Sequence, residues 1–100
     1  MKIIVKRPED AVGKVQDVPN TLKALQEVVG GHIEVVTLAT DLVIICNEEG
    51  AIRGLPYNCN ICGLRLFGDI IFVGVDGEEF TDIPCTFKQF KEMFPDLFED

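Results

Sequence analysis

The feature that most constrains the fold is a run of five apolar residues, Leu42-Val43-Ile44-Ile45-Cys46. Side chains alternate between the two faces of a β-strand, so a strand with this sequence is apolar on both faces. Such a strand is stable where other layers cover it on both sides, which is the situation of a central strand. The sequence therefore predicts a sheet whose central strand, at residues 41–47, lies between two covering layers.

Weaker patterns predict the strands around it. Residues 2–6 are rich in β-formers and residues 14–18 alternate between apolar and polar, so these segments predict a hairpin. Gly, Pro and Asn interrupt any periodicity in residues 54–68, which are predicted to form a long irregular loop of the kind that is usually functional or mobile. Further strands are predicted at residues 33–38, 51–53, 70–75 and 78–80.

Two helices are predicted from their capping residues. The first has Asn20 or Thr21 as its N-cap and ends at Gly30-Gly31. The second begins with the capping box Thr86-Phe87-Lys88-Gln89 and is stopped by Pro95. The apolar stripe of the first helix is Leu22, Leu25, Val28 and Val29. Together the elements predict an α+β fold, with a mixed or antiparallel sheet and two helices packed on it, as a single domain over residues 1–100.

The charge of the chain excludes several classes of partner. It has 9 Lys and Arg against 17 Asp and Glu, a formal net charge of −8. This charge repels nucleic-acid backbones and anionic membrane surfaces, so we expect neither as a partner. The acidic residues are spread along the chain, which favours solubility as their role. The alternative is an acidic face that mimics DNA in the groove of a host factor.

The cysteines leave two interpretations open. No apolar run approaches the ~20 residues that span a bilayer, and the N-terminus lacks the features of a signal peptide, so we expect a cytoplasmic protein with free thiols. Cys59 and Cys62 have the spacing of half a zinc site. A zinc-stabilised structural domain is therefore one alternative, if the fold brings both to Cys46 and Cys85. In the other interpretation, Cys46 and Cys85 are small core residues.

The sequence indicates a protein that is not an enzyme and uses no cofactor. It contains no serine, no phosphate-binding glycine loop and no zinc-protease motif. His32 is the single histidine and has no companion ligand motif. Glu48-Glu49 and Glu78-Glu79 are adjacent pairs whose side chains diverge, so a shared-proton dyad is not expected.

Ligand binding is the chemistry that the residues favour. Arg53 and Arg65 are suited to hold an anion, and Tyr57 is suited to stack on a planar ring. Asn58 can donate and accept hydrogen bonds, and the alternative is that it bonds its own backbone while Tyr57 covers the edge of the core.

Asn47 and His32 complete the predicted set of ligand-binding residues, Asn47 as a polar contact and His32 as an outer candidate. We expect the pocket between residues 54–68 and the turn at 47–50, within one subunit or across a homo-oligomer interface. A few polar groups in a concave site suffice for a small nucleotide-like ligand.

Ordered motifs along nearly the whole chain resemble those of a known family. They are Pro19-Asn20-Thr21-Leu22, Gly30-Gly31-His32-Ile33-Glu34, residues 42–50, Gly54-Leu55-Pro56-Tyr57-Asn58, residues 68–74 and Asp76-Gly77-Glu78-Glu79-Phe80. In this order they resemble a family of small domains of unknown function that is common in Firmicute phages and mobile elements. Members often carry a basic residue after the asparagine that matches Asn58, where this chain has Cys59.

The resemblance implies an accessory protein that counters host defence. One expected mechanism is the sequestration of a nucleotide-like signalling molecule by a small non-enzymatic binding protein. The other is a protein-interaction module that blocks a host factor. Both mechanisms are implied by the phage context of the family.

Overall fold

Nine strands and two short helices make up the described part of the chain. The computed structural model describes residues 1–11, 13–61, 63–93 and 98–99. In chain order the elements are β1 (Lys2–Lys6), β2 (Lys14–Asp17), α1 (Leu22–Val29), β3 (Ile33–Ala39), β4 (Leu42–Asn47), β5 (Tyr57–Ile61), β6 (Leu64–Phe67), β7 (Ile70–Asp76), β8 (Glu79–Thr81), α2 (Phe87–Met93) and β9 (Phe98–Glu99).

The larger sheet is antiparallel and runs in the order β2-β1-β7-β4-β3, with β8 also paired to β7. The β1–β2 hairpin is confirmed, with Ile4 opposite Val15. All six residues of β4 are buried, which confirms that the apolar run forms a central strand. The chain leaves this sheet after β4 and returns at β7, the neighbouring strand. Residues 48–69 are therefore an excursion between two adjacent strands.

The excursion supplies β5 and β6 to a second antiparallel sheet, whose strand order is β6-β5-β9. The prediction of an irregular loop at 54–68 is therefore wrong for most of that segment. Asn58 and Asn60 hide the β-pattern because asparagine is depleted in strands. Gly63 has φ +81°, a conformation that suits the tight connection between β5 and β6. The predicted strand at 51–53 is also wrong, because Arg53 N–H donates to the Glu49 carbonyl and closes a turn.

The larger sheet has an apolar cluster on each face. On one face, Leu25 and Val29 of α1 pack against buried residues of β1, β4 and β7. On the other face, Ile61 and Leu66 of the smaller sheet and Phe90 of α2 cover a second cluster. The architecture is α+β with a mostly antiparallel sheet and two helices, as predicted. No helix of the described residues has the length and apolar character needed to cross a membrane.

Both helices start at the predicted caps. Thr21 is the N-cap of α1 and accepts from Ala24 N–H at 3.1 Å, and Gly30 ends the helix with φ +79°. The sequence predicts Leu22 in the buried stripe, but the residue is 58% exposed. It lies in the first turn, and the helix packs on the sheet through the later turns that carry Leu25 and Val29.

The second helix is held by its capping box and by one aromatic residue. Gln89 N–H donates to Thr86 Oγ1, and Thr86 N–H donates to Gln89 Oε1. Phe90 is fully buried with its ring centroid 4.6 Å from that of Phe72 in β7. Pro95, the predicted stop of this helix, lies outside the described residues.

Candidate functional site

A small hollow lies between β6 and the turn that follows β4. Its volume is about 90 Å³. Gly50 lets the turn approach β6 closely, because a Cβ there would lie 3.1 Å from the Phe67 carbonyl oxygen. The lining residues are Glu34, Cys46, Asn47, Glu48, Gly50, Ala51, Leu64, Arg65, Leu66 and Phe67. The hollow occupies the place where the sequence predicts a pocket, between the 47–50 turn and the 54–68 segment.

The charges around the hollow are mixed. Glu34 on β3 and Glu48 in the turn are exposed carboxylates, and Arg65 on β6 is the cation of the lining. Within the described part of the chain, Arg65 has no salt bridge to either carboxylate. The hollow therefore has a formal charge of −1 and keeps free guanidinium donors at its rim.

Arg65 lies against two aromatic rings. Its guanidinium carbon is 5.5 Å from the centroid of the Tyr57 ring and 5.8 Å from that of Phe67. The two rings contact each other edge to face at 5.7 Å. Both distances for Arg65 are within the range of a cation–π interaction. Tyr57 is 45% exposed, so the cluster Tyr57-Arg65-Phe67 presents aromatic and cationic surface to solvent.

Asn47 lines the hollow, but its amide is used within the fold. Asn47 Nδ2 donates to the Val29 carbonyl at 3.0 Å, and Oδ1 accepts from Glu49 N–H at 2.8 Å. The first bond ties the C-terminus of α1 to the end of β4, and the second shapes the turn. Asn47 therefore positions Glu48 and Glu49 and has little hydrogen-bonding capacity left for a ligand.

Asn58 lies away from the hollow, in a buried junction between the two sheets. Its Nδ2 donates to the carbonyls of Lys6 and Gly68, and its Oδ1 accepts from Lys6 Nζ at 2.7 Å. Lys6 is buried, so the amide oxygen compensates an ammonium group that has lost water. The amide is fully used, but on the backbone of Lys6 and Gly68, which are 52 and 10 residues away, and not on its own backbone as the alternative expects.

Arg53 and His32 lie near the C-terminal end of α1. Arg53 Nη1 donates to the Gly30 carbonyl at 3.2 Å, which caps the helix and places a cation at the negative end of its dipole. His32 is exposed just before β3, and its carbonyl accepts from Glu48 N–H at 2.9 Å. Neither residue lines the hollow.

Of the six predicted ligand-binding residues, Asn47 and Arg65 line the hollow and Tyr57 contacts it through Arg65. The structure adds Glu34, Glu48 and Leu64, which are not among the predicted binding residues. Glu34 lies on β3, which is distant in sequence from β6. No local sequence pattern could therefore predict that Glu34 lines the hollow. Leu64 would have been found only by recognising β6 as a strand.

The described cysteines lie in three different surroundings. Burial raises the pKa of Cys46 to about 11, with a contribution from Glu34. Burial also raises the pKa of Cys59, which the Lys6 charge opposes, and the pKa of Cys85, to which Asp41 adds. Among the described residues, no group of three or more His, Cys, Asp or Glu side chains could hold a metal ion. Cys62, the fourth predicted zinc ligand, lies outside them.

Acidic residues that are distant in sequence lie together at the end of the larger sheet opposite the hollow. Val75 N–H donates to the Asp41 carbonyl, and Asp76 is the register partner of Glu79. With Glu78 in the same turn, four exposed carboxylates lie at this end. In the described part of the chain, none of the four has a salt bridge.

Comparison with known proteins gives a family for the chain. No curated protein and no solved structure matches it. A family model described as "Domain of unknown function (DUF3846)" matches residues 1–95. This match covers every described helix and strand except β9, and it confirms the resemblance to a family of domains of unknown function. The chain therefore belongs to the DUF3846 family of domains of unknown function.

Proposed function

We propose that the chain is a non-enzymatic protein-interaction module that binds a basic side chain of its partner in the hollow beside β6. The observation that carries this proposal is the pairing of two exposed carboxylates, Glu34 and Glu48, with apolar walls in one small concave site. In the phage setting that the family resemblance implies, the partner is a host factor whose surface the module blocks.

The size of the hollow supports a side chain as its occupant. Pockets that enclose small-molecule ligands measure roughly 300–1,000 Å³. The hollow, at about 90 Å³, offers much less space than a nucleotide needs. The long apolar stem and charged head of a lysine or arginine match a site with Leu64 on its wall and carboxylates at its rim.

The neighbouring cluster supports a protein partner as well. Tyrosine and arginine, with tryptophan, are enriched among the residues that contribute most to the energy of protein–protein interfaces. Tyr57 and Arg65 lie side by side and exposed, next to the hollow. Because Arg65 has no salt bridge among the described residues, its donors are available to carbonyl or carboxylate groups of a partner.

The state of the thiols supports a non-enzymatic role. A cysteine nucleophile reacts as the thiolate, which requires a lowered pKa. The pKa values of Cys46, Cys59 and Cys85 are all raised, so these groups are protonated at neutral pH.

The proposal is tested by selecting binders from a displayed peptide library and measuring their affinities by isothermal titration calorimetry. We expect the selected peptides to carry Lys or Arg and to bind more weakly at higher salt. The double variant Glu34→Gln/Glu48→Gln should lower their affinity by about tenfold or more, because it removes both carboxylates.

The matched control is Glu78→Gln/Glu79→Gln, which removes the same charge at the opposite end of the sheet. It should leave the affinity nearly unchanged. If the control variant weakens binding and the hollow variant does not, the acidic end of the sheet is the binding surface and the DNA-mimic alternative is favoured. If both variants weaken binding equally, the loss follows net charge and the hollow is not the binding site. If the selected peptides are neutral or acidic, the proposal is wrong.

A nucleotide-like signalling molecule is the second candidate ligand, and the Tyr57-Arg65-Phe67 cluster is the observation that favours it. An exposed ring beside a guanidinium can stack on a base while the cation contacts phosphate. Titration with cyclic nucleotides and ADP-ribose derivatives should then give saturable heat that Tyr57→Ala and Arg65→Ala each abolish. Heat that survives both substitutions, or no heat, rejects this candidate.

A further inference from the structure

The outer edge of β3 is open in the described structure. β3 is the last strand in the order of the larger sheet and pairs only with β4 among the described strands. Glu48 N–H donates to the His32 carbonyl, so residues 32, 34 and 36 form the hydrogen-bonded pairs with β4. The N–H and C=O groups of Ile33, Val35 and Thr37 therefore point away from β4, toward the open edge.

The strands at the two ends of the order β2-β1-β7-β4-β3 differ in length and composition. β2, at the other edge, has four residues, all exposed, and begins and ends with Lys14 and Asp17. Short and charged edge strands are a common protection against strand pairing. β3 has seven residues and carries a single charge, Glu34. By the same criteria, β3 is the edge that lacks protection.

We propose that two copies of this chain pair antiparallel through β3, with the two-fold axis at Val35. In this register, Val35 forms a hydrogen-bonded pair with Val35 of the second copy. Ile33 pairs with Thr37 of the second copy. It uses every outward N–H and C=O of the three residues. Isologous pairing of this kind closes the assembly at a dimer.

The side chains are compatible with the same register. Ile33 packs with the α1-facing cluster, so Val35 and Thr37 project on that face by alternation. Val35 is 43% exposed and would lie against Val35 of the second copy. On the other face, Glu34 would oppose Val36 of the second copy, so the two Glu34 carboxylates are not direct partners. A shift of the axis to Glu34 would oppose like charges, which is unfavourable.

The proposal does not depend on the proposed function, but it places two hollows in one assembly. Glu34 lines the hollow from β3, on the face opposite α1. A dimer with its axis at Val35 would carry both hollows on the same face, one on each side of the axis.

The test compares proline substitutions at the two edges by analytical ultracentrifugation. Val35→Pro removes an outward N–H that β4 does not use, so the subunit should stay folded and become monomeric. Val15→Pro is the matched control on β2. Val18 N–H donates to the Met1 carbonyl, which makes Val15 an outward residue of its own edge. The control should remain dimeric.

A charge exchange tests the register. Val35→Lys and Val35→Glu should each be monomeric alone, because the two-fold axis places like charges opposite each other. Mixing the two variants should restore a dimer that native mass spectrometry identifies as the mixed species. A wild-type chain that is monomeric up to millimolar concentration overturns the proposal. Dimerisation that Val15→Pro abolishes, or that Val35→Lys leaves intact, also overturns it.

Discussion

At the residue scale, the polar side chains divide into those that hold the fold and those that face solvent. Asn47 and Asn58 use their amides on groups of the fold, whereas Tyr57 and Arg65 remain exposed. The sequence could predict that all four are capable of binding. It could not predict this division, because the partner of Asn58 is Lys6, which is 52 residues away.

The first prediction concerns the junction at Asn58. Asn58→Asp should destabilise the fold by roughly 2–4 kcal/mol, although it places a carboxylate beside the Lys6 ammonium. The new oxygen would replace the donor that now serves the Lys6 and Gly68 carbonyls, leaving these acceptors facing an anion. Urea unfolding measures the loss. The control Asn20→Asp changes an exposed amide with one backbone bond and should cost under about 1 kcal/mol. Equal losses at both positions would contradict the role of the junction.

The second prediction concerns the reactivity of Cys46. Because burial raises its pKa to about 11, the thiol is protonated at pH 8 and should react slowly with iodoacetamide. The rate should rise with pH until the thiolate forms near that value. Mass spectrometry of the alkylated peptides measures each cysteine separately, with the urea-unfolded chain as the control for unprotected thiols. Alkylation at pH 8 as fast as in urea would show that this environment does not protect Cys46.

At the element scale, strongly periodic or capped segments were predictable and the excursion was not. The central strand, the first hairpin and both helix starts follow from local patterns that agree with the final environment. β5 and β6 were missed because asparagine is depleted in strands, and because Lys6, which bonds the buried Asn58 amide, is distant in sequence. The hollow depends on these two strands, so its lining could be predicted only in part.

The third prediction concerns the start of α1. Thr21→Ala removes the side-chain oxygen that accepts from Ala24 N–H and should destabilise the protein by about 1 kcal/mol. Thermal unfolding followed by circular dichroism measures the change. Thr40→Ala, in the exposed turn between β3 and β4, makes the same substitution without a cap and should change stability little. A larger effect at Thr40 than at Thr21 would contradict the capping assignment.

At the scale of the whole molecule, uncompensated negative charge opposes the packing of the layers. The formal net charge is −8. Asp17 pairs with the N-terminal amine at 3.2 Å, but the described structure gives Asp41, Asp76, Glu78 and Glu79 no salt bridge. Repulsion between like charges destabilises a compact state, and salt screens it.

The fourth prediction is therefore that added sodium chloride stabilises the fold. The midpoint of thermal unfolding should rise between low and physiological ionic strength, the opposite of a protein held by surface ion pairs. Glu78→Gln/Glu79→Gln should start at a higher midpoint and respond less to salt. A midpoint that falls as salt is added would show that attractive pairs outweigh the repulsion.

The excursion at residues 48–69 also bears on how members of this family can diverge. Because β4 and β7 are adjacent and antiparallel, a short turn could join them without altering the sheet. Most residues around the hollow belong to the excursion or to the turn that starts it. A change in the length or sequence of residues 48–69 can therefore alter the surface around the hollow while the larger sheet keeps its strand order.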